Sequence, residues 1–599
     1  MRIIAEMKNQ KNKIILAQVF LIILLGFVVY SNSLHGKFIW DDYCYIKNNI
    51  YITNFSYLPK LFVTGAGAGS DIPSFFYRPL QIFTYMLDYT LWGFNVFGYH
   101  LINTILHIIV SLCIYWMLAT IFEEQSLAFL ASLLFLAHPV HVEAVASMSG
   151  RADPLSAVFM LISIVLYLKQ PRSQNKKLCF LSLLSFALAL LSKESALIMP
   201  LLLLLYHYAF KSKINRSLFL SFLGINLIYI ILRVLILQKL LITSLLPYTP
   251  SAAVFISRIP AFFAAVTGYL RILIFPMNLH VDYGAGKFNF TDYKIILGAA
   301  ITISLIAYAL MKKEKDKLLF FSVFWFYLAL LPTANIYKIN ESFMKEHWLY
   351  IPSIGFFLIL AKALSSLYRN KSLRTQAVVF TATIVLCYSS LTIRQNIYWS
   401  DPFIFMKKSL QYSNNYIFYN ELGRECENTG KYEEAIAFYK EAIALNPKKY
   451  YLYCNLGRSY KTLGMYKESI AAFQKASEIN TKNKLIYYEL GDSYDKVGQK
   501  QEAIKAYLHA VEIDHNYLEA YNNLGALYAD AGEIDKAIQI WNRIIAIKPD
   551  FATAHFNLAV FYFGQKKFDL AIKHCDEVIK LGDKVNPEFL ELLEPYRKK

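Results

Sequence analysis

The stretch KNKIILAQVFLIILLGFVVYSNSLHGKFIWDDYCYIKNN, residues 11–49, sets an apolar run beside a pair of acids. Residues 14–30 carry no charge and follow Lys8, Lys11 and Lys13. About 20 apolar residues cross a bilayer. The run is long for a secretory signal, and no small-residue cleavage motif follows it, so it reads as an uncleaved first membrane span. Asp41 and Asp42 then stand between Trp40 and Tyr43, just beyond the lipid. Two acids in this place can bind a divalent cation, or one can act as a general base. Their plain structural use is to cap the start of a loop helix.

Ten more apolar runs follow, at 99–119, 126–140, 154–168, 178–192, 195–210, 217–237, 293–311, 318–333, 352–368 and 376–393. The chain is 56% hydrophobic and 17% charged, which suits a membrane protein with a soluble appendage. Its net charge of +18 sits largely in short Lys/Arg clusters between the runs: 169–177, 211–216, 312–317 and 368–374. That is the pattern of cytoplasmic loops, and no basic domain or reading motif speaks for nucleic acid. Eleven spans starting inside put all four clusters inside. Asp41, Asp42 and everything after 393 then lie outside, in a lumen or beyond the plasma membrane. Residues 238–292 must begin and end outside, so 260–276 is expected to be interfacial, re-entrant or a pair of short spans. The seven cysteines show no CxxC motif and no disulfide framework.

Residues 416–581 repeat. Glu421-Leu422-Gly423, Asn455-Leu456-Gly457, Glu489-Leu490-Gly491, Asn523-Leu524-Gly525 and Asn557-Leu558-Ala559 recur every 34 residues. Ala435, Ser469, Ala503, Ala537 and Ala571 keep the same step, with Gly430, Gly464, Gly498 and Gly532 between them. This is the tetratricopeptide repeat, five copies ending in a capping helix. Small residues let paired helices approach, and Gly supplies the turn. Repeat aromatics such as Tyr439 and Phe473 read as core, and the concave face suits a protein or peptide partner. The expected fold is all-α: a polytopic domain at 1–395, a linker at 396–415 and an α-solenoid at 416–599.

Charged groups near lipid point to function, and they collect on the outer side. Arg78 precedes a proline in FYRPLQIF, and its fork suits phosphate. His100, Asn103, His107 and Ser111 share one helix face that could line a cavity or bond neighbouring helices. His138, His141, Glu143, Arg151 and Asp153 crowd AHPVHVEAVASMSGRADP, 137–154. His-x-x-His could ligate zinc, but the sequence places no third ligand. Lys193 and Glu194 mark a turn between spans, and ESFMKEHWLYIPS, 341–353, adds His347 and Tyr350. Outward acids and cations at a bilayer surface suit a reaction between a lipid-linked anion and an incoming hydroxyl. No Gly-rich phosphate loop points to a soluble nucleotide. A non-catalytic membrane scaffold, or a transporter of lipid-linked sugar, are the competing readings. The latter wants ionisable groups deep in spans, and His107, Arg233 and Arg271 are the few present.

The segments FIWDDYCYIKNN, YRPLQIFTYMLDYTLWGFNVFGYHLINTILH, LFLAHPVHVEAVASMSGRADPLSAVFML, LSKESALIMPLLLLLY, PMNLHVDY and LPTANIYKINESFMKEHWLYIPSIGF cover most of the first 365 residues. With the repeats, they make the chain resemble the transmembrane-and-tetratricopeptide-repeat (TMTC) protein O-mannosyltransferases. The resemblance implies a GT-C glycosyltransferase that takes mannose from a polyprenyl-phosphate donor to Ser/Thr hydroxyls, with inversion, on the outer or lumenal side. It maps the catalytic acid to Asp41 or Asp42 without choosing between them. It makes Arg78, Arg151, Lys193 and His347 donor-phosphate candidates, and no cofactor is established beyond the divalent cation that the paired acids themselves could bind. His100, His138, His141, Glu143, Asp153, Glu194 and Tyr350 are further cavity candidates. Five repeats are fewer than animal members are expected to carry, which favours a prokaryotic plasma membrane over the endoplasmic reticulum. The last outer loop reads Glu346-His347-Trp348 where the family pattern wants an Arg-like residue.

Overall fold

The computed structural model describes residues 2–597 except 71–75, 174, 246–251, 285–287, 289–290 and 335–341. The chain forms two compact units, Met1–Ser413 and Asn414–Lys599, with no strand among the described residues.

All eleven apolar runs of the first unit become helices. Six are long and apolar enough to cross a bilayer: Asn12–Ser33, Val96–Phe122, Ser149–Gln170, Arg216–Leu237, Tyr293–Lys312 and Arg374–Tyr398. A seventh crossing would be the pair Gln125–Ala137 and Pro139–Ala146, bent by 56°. The other four runs give shorter helices, Lys176–Ser192, Met199–Phe210, Lys317–Leu330 and Ser353–Arg369, of 12 to 17 residues. Two of them begin beside a 3₁₀ turn or Pro that breaks the ladder early: Glu194–Ile198 precedes Met199, and Pro352 precedes Ser353. Composition alone therefore counts six or seven crossings where the apolar runs suggested eleven.

Helix ends follow their caps. Asn95 accepts from the Phe97 N–H to start Val96–Phe122, and Glu123, in the left-handed region at φ 55°, ends it 27 residues later. The stretch 260–276, expected to be re-entrant or split, lies mostly in one continuous helix, Ala252–Ile274, which carries Pro260. It packs on Tyr293–Lys312, where Gly298 permits the contact: a Cβ there would lie 2.0 Å from the Phe263 carbonyl.

The expected linker at 396–415 is structured up to the end of the first unit. Asp401 caps helix Pro402–Leu410 through the Phe403 and Ile404 N–H groups, and Phe405 and Met406 are buried.

In the second unit five helix pairs run from Tyr416–Asn428 and Tyr432–Leu445 to Ala552–Gly564 and Phe568–Lys580. Gly423, Gly457, Gly491 and Gly525 each face an aromatic ring of the next helix; a Cβ would meet Tyr439, Phe473, Tyr507 and Trp541 at 2.5 to 2.9 Å. Ala435, Ser469, Ala503, Ala537 and Ala571 are fully buried. Helix Pro587–Leu593 caps the stack through Phe589 and Leu593.

Candidate functional site

The two neighbouring acids part company. Trp40 adopts φ 53°, a strained left-handed conformation for a bulky residue and one that clusters at functional sites. A π-turn, Tyr43–Lys47, follows directly. Asp42 is buried; its Oδ1 accepts the Ser149 N–H at 2.7 Å and its Oδ2 the Ile39 N–H at 2.9 Å. It clips the turn at 38–42 to the turn at 147–151. Burial pushes the Asp42 carboxyl up to about 6, against the pull of those N–H groups. Asp41 is open to solvent and makes no hydrogen bond or ion pair among the described residues. The protein walls it in without covering it. That low-dielectric surround raises its carboxyl above the ordinary value, opposed by Lys345, His347 and Arg78 and aided by Glu143.

Charged pairs form the walls. Pro79 sits at the first helical position of Pro79–Trp92 and leaves Arg78 at the helix mouth. Its guanidinium forks onto Glu194 at 3.0 and 2.6 Å and lies 4.1 Å from the Phe76 ring centroid. Arg78, with Lys193 and Arg233, holds the Glu194 carboxyl down to about 2 against burial. Lys193, where helix Lys176–Ser192 turns extended, pairs with Asp153 at 2.6 Å. His347 Nδ1 lies 2.8 Å from Glu143 Oε1, and the His347 backbone N–H donates to Glu143 Oε2 at 3.0 Å. Lys345 Nζ donates to the Val281 carbonyl at 2.9 Å.

Three groups were not among the expected site residues, although the sequence reading marks Arg233 as a charge within a span and notes Glu346 in the last outer loop. Lys345 and Glu346 lie inside the quoted ESFMKEHW segment, but nothing local marks them as site groups. Glu346 accepts from the His280 N–H and Tyr283 O–H at 2.6 and 2.7 Å; burial, with Glu143 nearby, pushes it up to about 8. Arg233 has no hydrogen bond or ion pair among the described residues, though its field reaches Glu194. Arg78, Lys193, His347 and Lys345 have partners here, whereas Arg233 has none among the described residues.

Several expected site residues belong to the interior instead. Arg151 is 0% exposed and saturated: Asn103 Oδ1 at 2.7 Å, the Tyr99 carbonyl at 3.0 Å, Thr84 Oγ1 at 3.3 Å and Asp88 at 2.5 Å. No surface is left for a donor phosphate. His138 and His141 are fully buried on the carbonyls of Leu273 and Phe135 and on Ser353 Oγ, so they form no zinc site. His107 bonds Tyr350 O–H at 2.7 Å, His100 reaches the Gly36 carbonyl, and Asn103 donates to Ser147. The polar stripe and Tyr350 put these groups into bonds within and between helices and turns. The paired acids do not fit a divalent cation either. Both oxygens of Asp42 face N–H groups, which repel a metal, and no group of three ligand-type side chains occurs among the described residues.

The site therefore centres on Asp41, whose carboxyl feels Lys345, His347, Arg78 and Glu143, with Lys193 and Arg233 joined to it through Glu194, the partner of Arg78. The fold and this charged surface define a helical multi-pass membrane protein with an appended repeat array. A family model described as dolichyl-phosphate-mannose-protein mannosyltransferase matches residues 79–242, and tetratricopeptide models match 423–464, 450–483, 496–532 and 527–566. The chain is 29% identical to the protein O-mannosyl-transferase F38B6.6 of Caenorhabditis elegans over 445 residues, 71% of this chain and 62% of that one. It is 24% identical to mouse TMTC3 over 474 residues, 72% and 51% of the two chains, and 27% identical to Drosophila melanogaster Tmtc3 over 512, 71% and 55%. The chain is similar to the TMTC protein O-mannosyl-transferases over about 70% of its length, and it spans about half to three-fifths of the length of these relatives. The repeats are similar to solved structures of MamA (29% identity, 27% of this chain and 94% of that one, TM-score 0.26) and of YrrB, titled a TPR protein with an unusual peptide-binding site (26%, 29% and 91%, 0.27).

Proposed function

We propose that the chain is a membrane glycosyltransferase that moves mannose from a polyprenyl-phosphate donor to a Ser or Thr hydroxyl of a protein, with Asp41 as the base. One observation carries the choice of base: of the two adjacent acids, Asp42 is spent on two backbone N–H groups, while Asp41 presents a free, exposed carboxylate.

The raised Asp41 carboxyl suits a proton acceptor, because a base works best as its affinity for the proton approaches that of its surroundings. Asp41 takes the hydroxyl proton as the oxygen attacks the anomeric carbon. The carbon–oxygen bond to phosphate breaks on the opposite face, and polyprenyl phosphate leaves with the electron pair. Its growing charge is met by Arg78, Lys193 and His347, held in place by their acid partners, and by Lys345 and Arg233. Glu194, Asp153 and Glu143 act as positioning residues for those cations. The site lies on the outer or lumenal side, with the N-terminus cytoplasmic: a plasma membrane, or the endoplasmic reticulum with repeats in the lumen. The repeat groove holds the acceptor protein.

The test is transfer in detergent. The full chain is incubated with polyprenyl-phosphate mannose and a Ser/Thr-rich peptide, and a hexose mass increment on the peptide is sought. A donor-dependent increment supports the proposal. No increment with any lipid-linked sugar, while the repeats still retain a protein partner, favours a scaffold.

A further inference from the structure

The membrane unit carries a second charged concavity, away from Asp41. Helix Met199–Phe210 runs from the Lys193–Glu194 turn to Lys211, and the 17 residues from Glu194 to Phe210 separate the two by roughly 25 Å. At the far end a cleft of about 340 Å³ is lined by His207, Tyr208, Lys211, Lys313, Glu314 and Phe320. Tyr208 and Phe320 form an aromatic wall, with ring centroids 5.6 Å apart. Lys313 Nζ sits at its rim, 3.1 Å from the Tyr208 hydroxyl and 5.4 Å from the ring centroid. Lys211 is bound to Glu314 at 2.6 Å, both widely exposed.

Charge around the cleft is one-sided. Residues 211–217 and 312–317 hold the cations Lys211, Lys213, Arg216, Lys312, Lys313, Lys315 and Lys317 against only Glu314 and Asp316. Asp316 is already taken by Lys362 and by the Leu319 N–H. Beside it, Tyr308, Leu310 and Met311 are exposed apolar or amphipathic side chains on the membrane helix Tyr293–Lys312. The cleft thus sits where acyl chains end and headgroups begin. Positive loops alone need no concavity. An aromatic-walled cleft with ammonium groups at its mouth, opening beside lipid-facing side chains, offers a seat for a phosphate that is itself anchored in the bilayer.

We infer that this cleft binds the phosphate-bearing headgroup of an anionic phospholipid. Lys313, with Lys211 released from Glu314, takes the phosphate, and Tyr208 and Phe320 hold the glycerol side. This site is independent of the transferase reading.

The test uses the full chain in a neutral detergent, titrated with phosphatidylglycerol or phosphatidylcholine and read by native mass spectrometry. Each lysine removed is expected to weaken phosphatidylglycerol retention about fivefold, so Lys211→Ala/Lys313→Ala loses most of it while phosphatidylcholine is unaffected. The matched variant Lys371→Ala/Arg374→Ala, which removes two charges from another basic loop, retains it. Circular dichroism checks that each variant stays folded. Three results overturn the inference: equal phosphatidylglycerol retention by wild type and Lys211→Ala/Lys313→Ala, equal losses in both double variants, or displacement of the lipid by millimolar inorganic phosphate, which would mark a site for free phosphate.

Discussion

Arg151 separates a structural cation from a phosphate ligand, and its removal has a magnitude that follows from the site. In Arg151→Met the side chain keeps much of its bulk, but Asp88 stays 4% exposed without its cation, and Asn103 Oδ1 and the Tyr99 carbonyl lose their donor. Breaking a buried pair from one side costs about 3–5 kcal/mol, chiefly the stranded charge. Removing both partners as Asp88→Leu/Arg151→Met strands none, so the double variant recovers most of that loss. Thermal unfolding of the detergent-solubilised chain measures it: a large fall in midpoint for the single variant and a recovery in the double. In the recovered double variant the KM for the lipid donor stays within about twofold of wild type, because a buried guanidinium spent on protein groups gives the donor no uniform binding energy. A stable Arg151→Met with a donor KM raised tenfold or more would refute the structural assignment.

Glu346 gives a pH signature. Its carboxyl is raised from an ordinary 4.5 to about 8, so the folded state holds the proton where the unfolded chain has lost it. Stability is then fully present below about 4.5 and falls as pH rises through about 8. Glu346→Gln, which mimics the protonated acid, flattens that fall in unfolding midpoint between those values; an unchanged slope would contradict it. The Asp41 carboxyl is also raised, so the transfer rate climbs with pH along an acidic limb displaced upward from the ordinary Asp value, and Asp41→Asn abolishes the limb. In the repeats, Gly457→Ala puts a methyl 2.9 Å from the Phe473 ring and destabilises the second unit by about 1–3 kcal/mol, seen as faster proteolysis within 414–599.

What was legible in the sequence was periodic or local. The step of 34 announced the repeats because four of the five copies bury the same glycine against the same aromatic position, and the fifth sets Ala559 there. Apolar runs announced helices, but not which of them cross the bilayer, since a helix of 12 residues such as Met199–Phe210 can be buried in protein without spanning lipid. The site was half legible for a related reason. Arg78 and Arg151 look alike along the chain; they differ in what folds onto them. Glu194 lies 116 residues from Arg78 and pairs with it while leaving it 9% exposed, whereas Asp88 and Asn103 enclose Arg151 at 0%. Asp41 and Asp42 are adjacent, and only the left-handed turn at Trp40 and the approach of Ser149 separate a free carboxylate from a buried clip. Arg233 and Lys345 carried no motif at all; their relevance comes from the charges they meet across the fold.

The central claim rests on that separation, and one paired measurement meets it. Asp41→Asn and Asp42→Asn are purified beside wild type, and kcat/KM for mannose transfer is set against the unfolding midpoint of each. Asp41→Asn should unfold as wild type does and lose about 10²–10⁴-fold in kcat/KM, the contribution of a positioned base. Asp42→Asn should lower the midpoint, with its remaining activity following its folded fraction. An Asp41→Asn enzyme that turns over normally, or a stable Asp42→Asn enzyme that does not turn over, would contradict the account.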